Sequence, residues 1–291
     1  MAHPPHAGHD HAHGHAVGSR RLLLIALSLT LGYSVVEAVA GWWAGSLALL
    51  GDAGHMLTDS LALGLAAGAA ALALRPPSER HSYGYGRAET LAALLNALLM
   101  VALVAVISAE AVQRLMAPQP VHGATVTGVA LVGLLINLAA AWLLAGGRRN
   151  LNVRAALIHV LGDLLGSVAA LVSGAVILYT GWTTIDPLLS LFIVLLILFS
   201  SLRIMREALH TLMEGVPPHL SLEEIGQALA ETEGVRAVHD LHIWSLSAER
   251  TALSAHLVVD DLVQWTPLMA RVDAMLRARF GIDHSTLQPE A

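Results

Sequence analysis

A chain of 291 residues, 55% hydrophobic and only 13% charged, lies far from the roughly quarter-charged composition of an ordinary soluble domain. Without a single cysteine, disulfides and thiolate metal sites are excluded, and any soft-metal chemistry falls to His and carboxylates. A formal net charge of −6 and the lack of a basic cluster argue against nucleic acid as a partner.

Residues 1–19 are polar and carry His3, His6, His9, His11, His13 and His15. No positive n-region precedes a cleavable apolar core, so the segment does not read as a signal peptide. Its composition cannot bury a core and reads as a disordered, cytoplasmic, metal-binding tract, with a dispensable solvated tail as the alternative.

A hydrocarbon core of about 30 Å needs roughly 20 mainly apolar residues per helix. Six segments meet that test: 22–44, 46–74, 88–113, 123–145, 154–180 and 184–202. Turn chemistry separates them, as at Ala44-Gly45-Ser46, Arg75-Pro76-Pro77 and Ala117-Pro118-Gln119-Pro120. Arg20, Arg21, Arg75, Arg80, Arg87, Arg148, Arg149, Arg154, Arg203 and Arg206 fall on one side, and Arg114 alone on the other. The excess of positive charge marks the cytoplasmic side, so both termini are expected inside, in an inner or plasma membrane.

From about 203 the charge density becomes normal. Ser221 with Glu224 three residues on forms a capping box. Val235–Leu246 and Thr251–Val259 form a hairpin pattern. Thr266 precedes a second helix ending at Phe280-Gly281, and a short strand follows. The expected architecture is an all-α six-helix transmembrane bundle, 20–206, followed by a small cytoplasmic α+β domain, 207–291, in the order αββαβ. A domain that small has little core, which predicts support from a second copy.

Ionisable residues inside spans cost at least about 2.5–3.5 kcal/mol each on insertion scales, so each is a functional hypothesis. His55 and Asp59 stand four apart in the second span, and His159 and Asp163 four apart in the fifth. Each pair lies on one helix face, about one turn apart. Facing each other, they supply two imidazoles and two carboxylates, a tetrahedral set suited to Zn²⁺. Either one Zn²⁺ or two protons on the imidazoles would neutralise the two carboxylates. The alternative is polar glue between helices. Asp52, one turn before His55, is a hydrogen-bond acceptor behind the ligands, a carboxylate at the entrance or a cap. Glu37, Asn96, Asn137 and Asp186 read as lone residues hydrogen-bonded between helices.

Through Ser46-Leu47-Ala48-Leu49-Leu50-Gly51-Asp52-Ala53-Gly54-His55-Met56-Leu57-Thr58-Asp59, His81-Ser82-Tyr83-Gly84-Tyr85-Gly86-Arg87, His159-Val160-Leu161-Gly162-Asp163, Asp186-Pro187 and His239-Asp240-Leu241-His242-Ile243-Trp244, the chain resembles the zinc-transporting branch of the cation diffusion facilitator family over nearly its whole length. The resemblance implies a homodimeric metal/proton antiporter working by alternating access in the lipid bilayer. His55, Asp59, His159 and Asp163 would be its transport site. His at position 55 favours Zn²⁺, with Cd²⁺ or Co²⁺ as further cargo. It also implies a ferredoxin-like, metallochaperone-like tail with regulatory zinc held by His239, His256 and His284, and Glu290 as a further ligand. His242, of opposite parity to His239, would leave the other face of a regular strand. Between spans two and three, where some members bind an additional metal through Asp and His, this chain has Ser78, Glu79, His81 and Tyr85.

Two other classes compete. An intramembrane metalloenzyme would keep an open water position beside a general base, whereas four ligands close this shell and no HExxH pattern occurs. A membrane-bound metal sensor would need an output motif, and no kinase, nucleotide-binding or DNA-binding signature is present.

Overall fold

The computed structural model describes residues 11–145, 151–247 and 250–291. Six long helices come first: α1 (His11–Ala44), α2 (Leu47–Ala73), α3 (Ala88–Met116), α4 (Gly123–Ala145), α5 (Leu151–Thr180) and α6 (Ile185–Leu212). Among the described residues, α2 to α6 are long and apolar enough to cross a membrane. The further helix, α1, contains the predicted first span but begins at His11, because no proline interrupts the polar stretch before Leu22. His3, His6 and His9 lie outside the described residues. The last long helix, α6, runs on to Leu212 rather than ending near 202, since Arg203–Leu212 is rich in good helix formers.

Residues up to Leu61 together with Leu98–Ser201 make one compact unit; Ala62–Ala97 with Leu202–Ala291 make the other. In the first, α1 turns into α2 at Gly45, whose φ of 70° suits glycine and where a Cβ would meet the Pro120 carbonyl oxygen at 2.9 Å. The buried backbone N–H groups at the start of α2, which have no partner within the helix, are capped from another helix. Asp186 of α6 is fully buried and accepts from Leu47 N–H (2.6 Å), Ser46 Oγ (2.6 Å) and Ser173 Oγ of α5 (3.1 Å). Close approach of α4 and α5 depends on Gly123 and Gly174; a methyl group at Gly174 would strike the backbone of Thr127. Met100, Val104 and Ile107 of α3 pack on Ile193, Val194 and Ile197 of α6. Trp42, Trp142, Tyr179 and Phe199 stand exposed, as lipid-facing aromatic side chains do.

The second unit carries α7 (Leu222–Ala230), β1 (Val235–Ser245), β2 (Thr251–Val259), α8 (Trp265–Met275) and β3 (His284–Glu290), the expected αββαβ order. Ser221 caps α7, accepting from Glu224 N–H at 3.3 Å. A wider π turn over Leu276–Phe280 closes on Gly281, at φ 69°. In the sheet, ordered β1-β2-β3, β2 pairs antiparallel with β1 and parallel with β3. Its core is Ile225 and Leu229 of α7, Ile243, Leu253, Leu257 and Val259 of the sheet, and Leu268, Val272 and Leu276.

Strand β1 is not regular. The register jumps between His239, opposite His256, and His242, opposite Ser254, with Asp240 at φ 51°. Ser254 and His256 share one face of β2, so the bulge returns His242 to the face of His239. The parity expectation for His242 is therefore corrected. The extra residue keeps both Val238 and Leu241 packed against the core.

Candidate metal centres

On α2, residues 55 and 59 project from one face because the helix repeats every 3.6 residues, and on α5 residues 159 and 163 do the same. The structure brings the two faces together. His55 Nδ1 lies 3.5 Å from Asp59 Oδ2, and His159 Nε2 lies 3.3 Å from the same oxygen. Asp163 sits 3.9 Å from His55 Nε2 through Oδ1 and 3.8 Å from His159 Nε2 through Oδ2. Donors bound tetrahedrally at about 2.0–2.2 Å are about 3.4 Å apart, close to these separations. His55 meets Asp59 with one ring nitrogen and Asp163 with the other. Closing all four residues on one ion therefore takes a side-chain rotation. Asp163 is buried at 3% exposure, whereas His159 is half exposed, so the set has a closed back and an accessible front.

Asp52 is buried behind this set, hydrogen-bonded to Ser167, with its carboxylate over Gly166. Together with His55 it lines a cavity of about 170 Å³ between α2, α5 and α6. Asn137 and Asp186 have the interhelical partners expected of them: Asn137 Nδ2 donates to Ser167 Oγ at 3.1 Å. Glu37 departs from the expectation. It is fully buried, yet neither carboxylate oxygen has a hydrogen-bond partner among the described residues.

In the tail, the pairing of β2 with β3 sets His256 beside Gln288 and Val258 beside Glu290. Glu290 thereby reaches both imidazoles, at 2.9 Å from His239 Nε2 and 2.6 Å from His256 Nδ1. One donor atom from each of His239, His256 and Glu290 lies within 4.8 Å of the others, a spacing that one ion can bridge. Hydrogen bonds with His256, then His239, hold the Glu290 carboxyl below the usual carboxylate range.

His284 is not brought to this cluster. It pairs with Ala252, four residues along β2 from His256 and so about 13 Å away. Its ring instead lies edge-on to Tyr83, with centroids 6.4 Å apart. Sequence reasoning passed over Asp240, whose carboxylate lies 3.0 Å from His242 Nε2 and 3.8 Å from His256 Nε2. It stands inside the quoted His239–His242 motif, but only a bulged strand turns it toward the imidazoles. Also unforeseen is the ion pair of Arg87 with Glu214, at 3.0 Å, linking the α2–α3 loop to the turn that follows α6.

Comparison with known proteins adds to this geometry. A family model described as the cation efflux transmembrane domain matches residues 23–213, and one described as the cation efflux protein cytoplasmic domain matches 217–291. "Zinc transporter ZitB" of Pectobacterium atrosepticum is 43% identical over 97% of this chain and 88% of its own length. "Zinc transporter ZitB" of Escherichia coli is 41% identical over 100% and 93%. A "Cadmium, cobalt and zinc/H(+)-K(+) antiporter" of Bacillus velezensis is 37% identical over 96% and 91%.

Proposed function

The chain belongs to the cation efflux, or cation diffusion facilitator, family of multi-pass membrane transporters, and from that premise we propose that it exports Zn²⁺ from the cytoplasm by exchange for protons through His55, Asp59, His159 and Asp163. The observation that carries the reading is the meeting of two His-Asp faces at separations of 3.3–3.9 Å. Two imidazoles and two carboxylates suit Zn²⁺ better than a hard cation, and Cd²⁺ and Co²⁺ are further cargo of the same donor preference.

Zn²⁺ arriving from the cytoplasm displaces protons from the imidazoles, and Asp59 and Asp163 balance its charge. A rearrangement of the helices then opens the site to the far side, where protons compete the metal off. The site needs neutral imidazoles for metal and charged ones for release, which makes proton exchange a built-in property of the ligand set. The name of the Bacillus velezensis relative includes both H⁺ and K⁺, and K⁺ comes to this chain as a second candidate counter-ion.

The domain division at 20–206 and 207–291 and a membrane orientation with both termini cytoplasmic complete the reading, in an inner or plasma membrane. The tail serves homodimerisation and holds a regulatory Zn²⁺ through His239, His256 and Glu290, with Asp240 beside them. His284 enters only if its strand shifts or a second copy supplies it. Zinc at the tail biases transport to the extent that it binds one conformation better.

Zinc uptake into proteoliposomes with an acidic lumen, comparing the wild type with Asp163→Ala, tests the proposal. Uptake in the wild type that disappears in the variant is expected. Equal uptake in both would remove the site assignment, and no uptake by folded wild type would remove the transport reading.

A further inference from the structure

Glu37 on α1 is an ionisable side chain at 0% exposure with both carboxylate oxygens unpartnered. Asp52 on α2, at 1% exposure, leaves Oδ2 unpartnered as well, and the two carboxylates lie near enough to interact electrostatically. No Arg or His forms an ion pair with either among the described residues. Orphaned groups of this kind cost several kcal/mol each unless something positive meets them.

What surrounds them is acceptor-rich and donor-poor. Ser167 hydrogen-bonds Asp52 and takes its own donor from Asn137 Nδ2, which leaves Asn137 Oδ1 without a partner. Among the described residues the phenol near Glu37, that of Tyr33, spends its hydroxyl proton on the Val129 carbonyl. The protein thus offers unsatisfied oxygen and almost nothing to donate to it. Access exists on the Asp52 side, through the cavity of about 170 Å³ that Asp52 shares with His55.

We propose that Glu37 and Asp52 form a second intramembrane cation subsite, built from oxygen alone, which takes a monovalent alkali cation while the His-Asp set takes zinc. Donor chemistry separates the two places: nitrogen-containing sets select zinc, whereas all-oxygen sets select hard cations. Mg²⁺ is a poor fit for a nearly dry site, because it gives up its waters reluctantly and demands octahedral geometry. A monovalent ion sheds water at lower cost. Its location one helical turn behind His55 lets its charge oppose that of zinc across Asp52, so occupancy of one place disfavours the other. The subsite gives the second counter-ion of the proposed exchange a location, and its functional meaning rests on that reading; its existence does not.

The test uses the full-length protein in detergent, zinc-free, with choline chloride at matched ionic strength as the reference. K⁺ at about 100 mM is expected to raise the thermal unfolding temperature by a few degrees, as any ligand of the native state does. Glu37→Gln is expected to lose that shift while binding zinc within about threefold of the wild type in a calorimetric titration. Should Glu37→Gln fail to fold, Asp52→Asn takes its place with the same expected loss of the shift. No K⁺ shift in wild-type protein, or a shift that survives in the folded variant, overturns the proposal. So does stabilisation by acid alone with none by K⁺ or Na⁺, which would mean that the pair shares a proton. Because this arm contains no zinc, it reads independently of whether zinc is transported.

Discussion

Asp186 shows how much one side chain can hold. It satisfies the first N–H of α2, the Ser46 hydroxyl and the Ser173 hydroxyl at once, from a position without solvent. Asp186→Ala would leave those donors buried and unpaired, at about 1–3 kcal/mol each. A clear drop in the detergent melting temperature is expected, with zinc uptake reduced as well, because α2 carries His55 and Asp59. At Glu290 the sign runs with acid. Its carboxyl is held low in the folded protein, so its contribution to stability is complete above the ordinary Glu range and is lost as pH falls through the lowered value. Glu290→Gln should therefore weaken the zinc-free protein at neutral pH and flatten the acid limb of its stability curve, as thermal unfolding at stepped pH would record. The pairing of His55 with Asp59 and of His159 with Asp163 was legible in the sequence because an i, i+4 spacing fixes its own geometry within one helix. Glu290 was legible only through the family resemblance, since its meeting with His239 depends on the register of β3, 51 residues away.

At the scale of elements, the helices declare themselves by apolar length and the tail by its capping box and alternating strands. What the pattern could not reveal is how closely they approach. Gly174 lies so near α4 that a Cβ would fall within 2.6 Å of the Thr127 nitrogen. Gly174→Ala should force α4 and α5 apart, at about 1–3 kcal/mol as overpacking generally costs, and lower zinc uptake by displacing His159 and Asp163. Thermal unfolding and proteoliposome flux would both report it, whereas Gly64→Ala on α2, with open space at the Cβ, should not lower stability and should raise it slightly, by up to about 1 kcal/mol. Gly86 in the α2–α3 loop is equally constrained, lying against the Leu246 carbonyl and the Ser247 side chain. That approach and the Arg87–Glu214 pair give the end of the His81–Arg87 stretch a packing role.

For the whole molecule, the expectation is two metal-dependent behaviours that separate. His239→Ala with Glu290→Ala should weaken zinc binding at the tail by at least tenfold and abolish zinc-dependent association of tails in a sedimentation experiment. The same double variant should still bind zinc at the membrane site and retain basal uptake. Loss of uptake together with tail binding would instead make the tail metal a structural requirement. The division into a membrane part and a tail could be seen in charge density alone. The proposed coupling between the membrane site and the tail could not, because any such coupling depends on conformations that differ in energy by little, and no local pattern encodes such a difference.

The bulge at Asp240 makes the identity of the outer face of the sheet a matter of chain length rather than of residue type. Deleting that one residue would restore strict alternation in β1. The other side chains would keep their faces, with Val238, Leu241 and Ile243 inward and His239 and His242 outward; flattening the bulge without that deletion would instead drive His242 into the apolar interior and turn Ile243, now buried at 2% exposure, to water. A frame of a single amino acid thus separates a surface that displays imidazoles from one that displays hydrocarbon. A one-residue insertion or deletion elsewhere in β1, which no existing bulge absorbs, should be purged in any lineage that keeps this surface, even though the strand lies beside a solvent-exposed face where such changes are usually cheap.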